Sequence, residues 1–122
     1  MKTTFTDAKD LLGHAAESGR LKLLLSQLQK DYERANISFP LHGAIGPEPD
    51  RARILQDLNE SFYFLLMERF DQYLNLMYAV DVPEREFKGV DVTDAVEVAT
   101  QVTFLVLKRE WMKIEFRTRE ET

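Results

Sequence analysis

Residues 51–80 read RARILQDLNESFYFLLMERFDQYLNLMYAV and form the longest uninterrupted helical pattern in the chain. Apolar side chains recur in this stretch at steps of three or four, which places them on one face of an α-helix. The members of this face are Leu55, Leu58, Phe62, Leu66, Phe70, Tyr73 and Met77. The spacing therefore predicts one long central helix with a buried apolar face, around which the rest of the chain packs.

Two helices are predicted before it. Residues 6–17 have an N-cap at Thr6 or Asp7 and end before Gly19, but their apolar face is thin and partly alanine, so we expect residues 1–19 to attach loosely. Residues 20–35 have a stronger apolar face. That face contains Leu21, Leu24, Leu25, Leu28, Tyr32 and Ala35, and the polar side is predicted to contain Gln27, Lys30, Asp31 and Arg34.

A loop joins these helices to the central one. Residues 36–49, NISFPLHGAIGPEP, contain three of the four prolines and two of the five glycines, so no helix can run through them. Asp50 is the predicted N-cap of the central helix. Because the loop at 36–50 contains four apolar residues, we predict that it lies across the core surface. Those apolar residues are Ile37, Phe39, Leu41 and Ile45.

The last third of the chain predicts a short helix and a second long one. The sequence DVPE at residues 81–84 resembles a capping pattern for a short helix that Gly89 closes, and DVTD at 91–94 opens a helix that runs to about residue 118. A strand pair at 102–107 and 112–116 is the alternative, because both segments are rich in β-branched or alternating apolar residues. We prefer the helix, since residues 108–110 contain no turn-forming residue.

Composition restricts the class of protein. The 122 residues suit one domain, 1–122, and the 44% hydrophobic and 30% charged residues are typical of a folded globular chain. A net charge of −5 argues against general nucleic-acid binding, and the absence of cysteine excludes disulfides and thiolate chemistry. We find no signal-peptide pattern and no apolar run long enough for a membrane span, so the expected location is the cytoplasm.

These patterns together predict an all-α fold. We expect an irregular antiparallel bundle with two long helices and two or three shorter ones. The sequence indicates no cofactor.

Two stretches resemble a known group of proteins. Residues 73–84, YLNLMYAVDVPE, and residues 107–117, LKREWMKIEFR, resemble small, mostly helical bacterial proteins that pair a YLNLLYR-IDV-E segment with a C-terminal L-REWQK-W-R helix. The chain departs from that pattern at Ala79, where a basic residue is expected, and its first helix has no counterpart. The resemblance implies a helical fold and a bacterial, cytoplasmic setting, and it implies no activity.

Three aromatic residues are predicted to project away from the core. Phe64 falls among polar residues on the wheel of the central helix, and Phe104 and Trp111 fall among charged residues on the last helix. Neighbouring exposed aromatics are typical of interface centres, so we interpret these three as interface candidates. Coverage by the first helix or by the proline-rich loop is the alternative, and the sequence does not decide between them.

Arg109, Lys113 and Arg117 form a basic ridge at steps of four on the last helix. We expect these side chains to pair with carboxylates near the start of the central helix, if the two long helices are antiparallel. Binding of an anion, a nucleic acid or an acidic partner is the alternative. The expected carboxylates are Glu48, Asp50, Asp57 and Glu60.

No catalytic motif is present, and the remaining candidates are polar residues in unusual places. Asn59 lies inside the predicted apolar arc, where a buried amide needs a hydrogen bond; we expect a loop carbonyl as its partner. Asp10, His14 and Glu17 share one helical side, but a solvated face explains them better than a metal site.

The sequence therefore favours a non-enzymatic interaction module, most simply a homodimer. A regulatory binder that uses the basic ridge is the second hypothesis. A small enzyme or ligand-binding protein with a pocket near Asn59 and His42 is the third. The sequence does not give the partner, the pathway or the oligomeric state.

Overall fold

The computed structural model of the chain describes residues 2–41, 46, 48–87 and 94–121, with residues 118–121 as backbone only. The fold is an all-α helical bundle, with five α-helices and no strand in the described part of the chain. No helix in these ranges is both long and apolar enough to cross a membrane. The helices are α1 Ala8–Glu17, α2 Leu21–Arg34, α3 Arg51–Glu68, α4 Phe70–Val80 and α5 Ala95–Glu121, and a short 3₁₀ helix, Glu84–Phe87, lies between α4 and α5.

The core forms where α3 and α5 pack along each other, with α1, α2 and α4 around them. Leu58 and Phe62 of α3 and Val102 and Val106 of α5 are fully buried there. Each such side chain stabilises the fold by about 1.5–3 kcal/mol through the area it removes from water. The packing of α3 on α5 therefore supplies the main apolar contact of the bundle.

The predicted central helix is two helices, because the chain breaks at Arg69, where φ is −145° and ψ is 60°. In one continuous helix Arg69 would fall four residues after the buried Leu65 and seven after Phe62, on the core face. Burying an unpaired guanidinium is costly, and the break instead leaves Arg69 exposed with its guanidinium 5.9 Å from the Phe64 ring centroid.

The buried face of the two helices also differs from the prediction. Leu58, Phe62, Tyr73 and Met77 are buried as expected, whereas Phe70 is exposed. Leu55 and Leu66 are only partly buried, and the remaining core positions are Ile54, Leu65, Leu76 and Val80.

Helix α1 contacts the bundle more closely than we expected. Asp7 caps it by accepting a hydrogen bond from the Asp10 amide at 2.8 Å, and Gly19 adopts a left-handed φ of 73° after its end. Leu11 and Leu12 are fully buried, and α1 packs against α2, α3 and α5. The two leucines compensate for the small alanines, so residues 8–17 do not attach loosely.

Helix α2 has the predicted apolar face but a different polar side. Gln27 and Asp31, expected outside, are buried against α5. The following loop lies on the core through Leu41, which is buried, as the prediction required; Ile45 falls outside the described residues. Asp50 caps α3 by accepting from the Arg53 amide at 3.2 Å.

Helix α5 excludes the strand alternative, because residues 102–116 lie inside one continuous helix. Asp94 caps its start by accepting from the Val96 amide at 2.9 Å. Asp81 has a left-handed φ of 67° and ends α4 instead of opening a helix. Gly89 and residues 91–93, which belonged to the predicted caps, lie outside the described ranges.

Candidate functional site

Six large apolar side chains of α3 and α4 are exposed. They recur along the chain at steps of one to four residues, and their exposed fractions run from 41% to 90%. We call this surface the outer stripe; its members are Tyr63, Phe64, Met67, Phe70, Leu74 and Tyr78. Other large exposed apolar residues are more scattered, at Leu23, Val96, Met112 and Phe116. The outer stripe is therefore the main concentration of unburied apolar surface in the described part of the chain.

Of the three predicted interface aromatics, Phe64 is exposed, Phe104 is partly buried and Trp111 is buried. Trp111 is 2% exposed, because the N-terminal segment crosses it: its Nε1 donates to the Lys2 carbonyl at 3.0 Å, and the Phe5 ring lies edge-on at 6.0 Å. Phe104 packs against the core and has Lys108 Nζ 5.0 Å from its ring centroid. Trp111 is therefore covered by the N-terminal part of the chain, which was the alternative interpretation of its position.

The basic ridge on α5 is paired, but not with the residues we expected. Arg109 donates to Asp81 Oδ2 at 3.1 Å, and Arg117 donates to Gln27 Oε1. Lys113 lies 2.8 Å from Asp31 Oδ2. These partners belong to α2 and to the end of α4, because the C-terminal half of α5 packs against α2.

Beneath this ridge, two fully buried carboxyl groups share one lysine. Lys113 Nζ lies 2.8 Å from Asp31 Oδ2 and 3.0 Å from Glu110 Oε1, and Arg34 Nη1 lies 3.4 Å from Asp31 Oδ1. Neither Glu110 oxygen makes a well-directed hydrogen bond in the described structure. Burial, reinforced by the neighbouring Asp31 carboxylate, raises the pKa of Glu110 to about 8, although Lys113 opposes the shift. Glu110 is therefore mostly protonated at neutral pH.

This shift makes stability depend on pH. The folded state holds a proton on Glu110 that the unfolded state releases near pH 4.5, so stability falls as the pH rises from there to about 8. Between about pH 6 and pH 9 we expect this residue to reduce the free energy of unfolding by on the order of 2 kcal/mol. Urea denaturation across that range measures the loss. In Glu110→Gln, which stays neutral, the loss should largely disappear; parallel pH profiles for the two proteins would contradict this assignment.

The charged cluster borders a cavity between α2, α4 and α5. Its volume is about 930 Å³, and Arg34 and Lys113 reach it. The wall is otherwise mainly apolar, and burial raises the pKa of the Tyr73 phenol, which therefore stays neutral. Leu74 and Tyr78 of the outer stripe belong to this wall. Its other apolar members are Tyr73, Met77, Ala79, Val82, Pro83 and Phe87.

A second groove, of about 1180 Å³, lies between α1 and the first half of α3. It brings together Asp10, His14, Glu17 and Asn59, which the sequence left as separate candidates. Asn59 Oδ1 is buried without a hydrogen-bond partner in the described structure. The expected bond from the Asn59 amide nitrogen to a loop carbonyl stays a prediction, since residues 42–45 and 47 of that loop lie outside the described ranges. His42, the other residue predicted near this pocket, lies outside the described ranges.

On α1, Asp10 and His14 contact residues of the N-terminal segment and of α5. Asp10 accepts from the Thr6 amide at 3.0 Å and pairs with Lys2 at 3.6 Å, and these contacts lower the pKa of its carboxyl group. The His14 ring lies 5.4 Å from the Trp111 ring. Among the described residues no group of three or more potential ligands has the geometry of a metal site.

Sequence reasoning missed Asp31 and Glu110, although their positions carried a signal. Asp31 follows the buried Leu28 by three residues, and Glu110 lies three residues after Leu107 and four before Ile114. Both acids therefore occupy core spacing on their helices, which is where a buried and perturbed carboxyl group is expected.

Comparison of the chain with protein-family models, with curated proteins and with solved structures gives no match.

Proposed function

We propose that the protein is a non-enzymatic interaction module that forms a homodimer through the outer stripe. The observation that carries the proposal is the concentration of large exposed apolar side chains on α3 and α4. A bacterial, cytoplasmic setting, which the sequence resemblance implies, is part of this proposal.

The area of the outer stripe is suited to a protein contact. An aromatic side chain buries about 150–250 Å², so the exposed fractions of the stripe correspond to roughly 600 Å². The largest apolar patch of a typical monomer measures about 300–600 Å², and each partner in a standard complex contributes about 800 Å². The stripe alone therefore supplies most of one side of an ordinary interface.

The order of residues along the stripe favours a second copy of the chain as the partner. Phe70 lies at the middle, with Met67 and Leu74 on either side of it. Arg69 and Asp71, both exposed, flank Phe70 with opposite charges. If two copies meet antiparallel about a twofold axis at Phe70, Arg69 of one protomer faces Asp71 of its partner, twice in the dimer. In this arrangement the charges beside Phe70 are complementary between the two copies.

Light scattering on the purified protein tests this proposal. We expect twice the monomer mass at micromolar concentrations, and the monomer mass for Phe70→Glu, because each dimer would bury two glutamates at its axis. Phe70 is 55% exposed, so the substitution should change the thermal midpoint of the monomer little.

Phe116→Glu is the matched control, since Phe116 is an aromatic residue of similar exposure that lies on α5, outside the stripe. It should leave the dimer intact. A wild-type protein that is monomeric at high concentration, or a dimer that Phe116→Glu disrupts and Phe70→Glu does not, would refute the proposal.

A further inference from the structure

The cavity between α2, α4 and α5 combines an apolar wall with cationic groups. Arg34 and Lys113 reach it from α2 and α5, and Tyr73, Met77 and Phe87 contribute large apolar surfaces. Its volume of about 930 Å³ is within the range of small-molecule sites, which are mostly apolar with a few placed polar groups.

The charges of the adjoining cluster do not cancel at neutral pH. The Asp31 carboxylate lies between two cations, at 3.4 Å from Arg34 Nη1 and 2.8 Å from Lys113 Nζ. Glu110, the other acid in contact with Lys113, is mostly protonated there, since its pKa is about 8. Among the remaining acids of the wall, Asp81 is paired with Arg109 at 3.1 Å and Glu84 is exposed. Within the buried cluster the two cations therefore face one carboxylate, which leaves one positive charge in excess there, while the exposed Glu84 carboxylate is screened by solvent.

We propose that this cavity binds a small monocarboxylate with an apolar body, whose carboxylate pairs with Arg34 and Lys113 while the body packs on Tyr73, Met77 and Phe87. A guanidinium and an ammonium donate charge-assisted hydrogen bonds to a carboxylate. One negative charge balances the excess of the cluster, whereas a phosphate dianion would bring an uncompensated charge into partly apolar surroundings. The apolar wall requires a hydrocarbon body.

Calorimetric titration with octanoate and with phenylpropionate tests this proposal, and octanol and phenylpropanol are the matched neutral probes. We expect at least one of the acids to bind saturably, and the corresponding alcohol to bind about tenfold more weakly or not at all. The two acids separate an extended aliphatic body from an aromatic one.

Arg34→Gln is the main variant, because the Arg34 side chain is 69% exposed and its replacement should leave the fold intact. It should weaken acid binding roughly tenfold. Arg53→Gln is the control: Arg53 is an exposed arginine of α3, paired with Asp57 at 3.5 Å, and does not line the cavity. Its affinity for the acids should equal that of the wild type.

The proton on Glu110 provides an independent measurement. A simple carboxylic acid stays ionised between about pH 6 and pH 9, whereas Glu110 loses its proton and cancels the excess charge. Wild-type affinity for the acid should therefore fall several-fold over that range, and Glu110→Gln should keep a nearly constant affinity. Equal binding of acids and alcohols, unchanged affinity in Arg34→Gln, or no saturable binding of either acid would overturn the proposal.

Discussion

Replacing Trp111 by alanine is expected to lower the free energy of unfolding by about 3–5 kcal/mol, the usual range for removal of a buried tryptophan. The residue is 2% exposed, and its ring contacts the rings of Phe5 and His14. The substitution also removes the hydrogen bond to the Lys2 carbonyl, which holds the N-terminal segment against α5. Urea denaturation followed by circular dichroism measures the loss, since the variant has no tryptophan fluorescence.

Two further variants make this result specific. Trp111→Phe keeps most of the packing and loses the indole hydrogen bond, so it should cost less than alanine does. Met112→Ala changes the adjacent residue, which is 52% exposed, and should alter stability by no more than about 0.5 kcal/mol. A loss below about 1 kcal/mol in Trp111→Ala would mean that the N-terminal segment does not bury this side chain.

Replacing Lys113 by methionine is expected to cost about 3–5 kcal/mol, because it removes the closest cation from a fully buried carboxylate. Arg34 lies farther from Asp31, at 3.4 Å, and most of its side chain is in solvent, so it does not replace the lysine. Lys108→Met is the matched control. Lys108 is a more exposed lysine of α5, paired with Glu86 at 3.7 Å, and its loss should cost less than about 1 kcal/mol.

Neutralising the buried acid should restore much of this stability. In Lys113→Met with Asp31→Asn, no unpaired charge remains in the interior, and stability should recover by more than half. Two results would contradict the view that Asp31 is an ionised buried group that depends on Lys113. In the first, Lys113→Met lowers the free energy of unfolding no more than Lys108→Met does. In the second, adding Asp31→Asn to Lys113→Met lowers that free energy further.

Local patterns in the sequence predicted which segments are helical, because periodicity and capping are properties of neighbouring residues. Asp50 and Gly19 perform the roles that their types suggest. The break at Arg69 was missed because no glycine or proline marks it. Its signal was a charged residue at core spacing after Phe62 and Leu65.

Long-range packing explains the other differences. The ring of Trp111 appears outward on an isolated helical wheel, and residues about a hundred positions earlier in the chain cover it. Likewise, Asp31 lies at the edge of the apolar face on the wheel of α2, and only the crossing of α2 with α5 shows that Lys113 neutralises it. Phe64 is 51% exposed in the described structure, as its position on the helical wheel predicted.

A charge exchange at the centre of the outer stripe tests the proposed dimer most directly. Arg69→Glu should place like charges opposite each other at two symmetric contacts and weaken the dimer, and Asp71→Arg should do the same. The protein that carries both substitutions should regain the dimer mass in light scattering, because the opposite charges again face each other across the twofold axis. A doubly substituted protein that stays monomeric, or single variants that dimerise as well as the wild type, would contradict an antiparallel homodimer centred on Phe70.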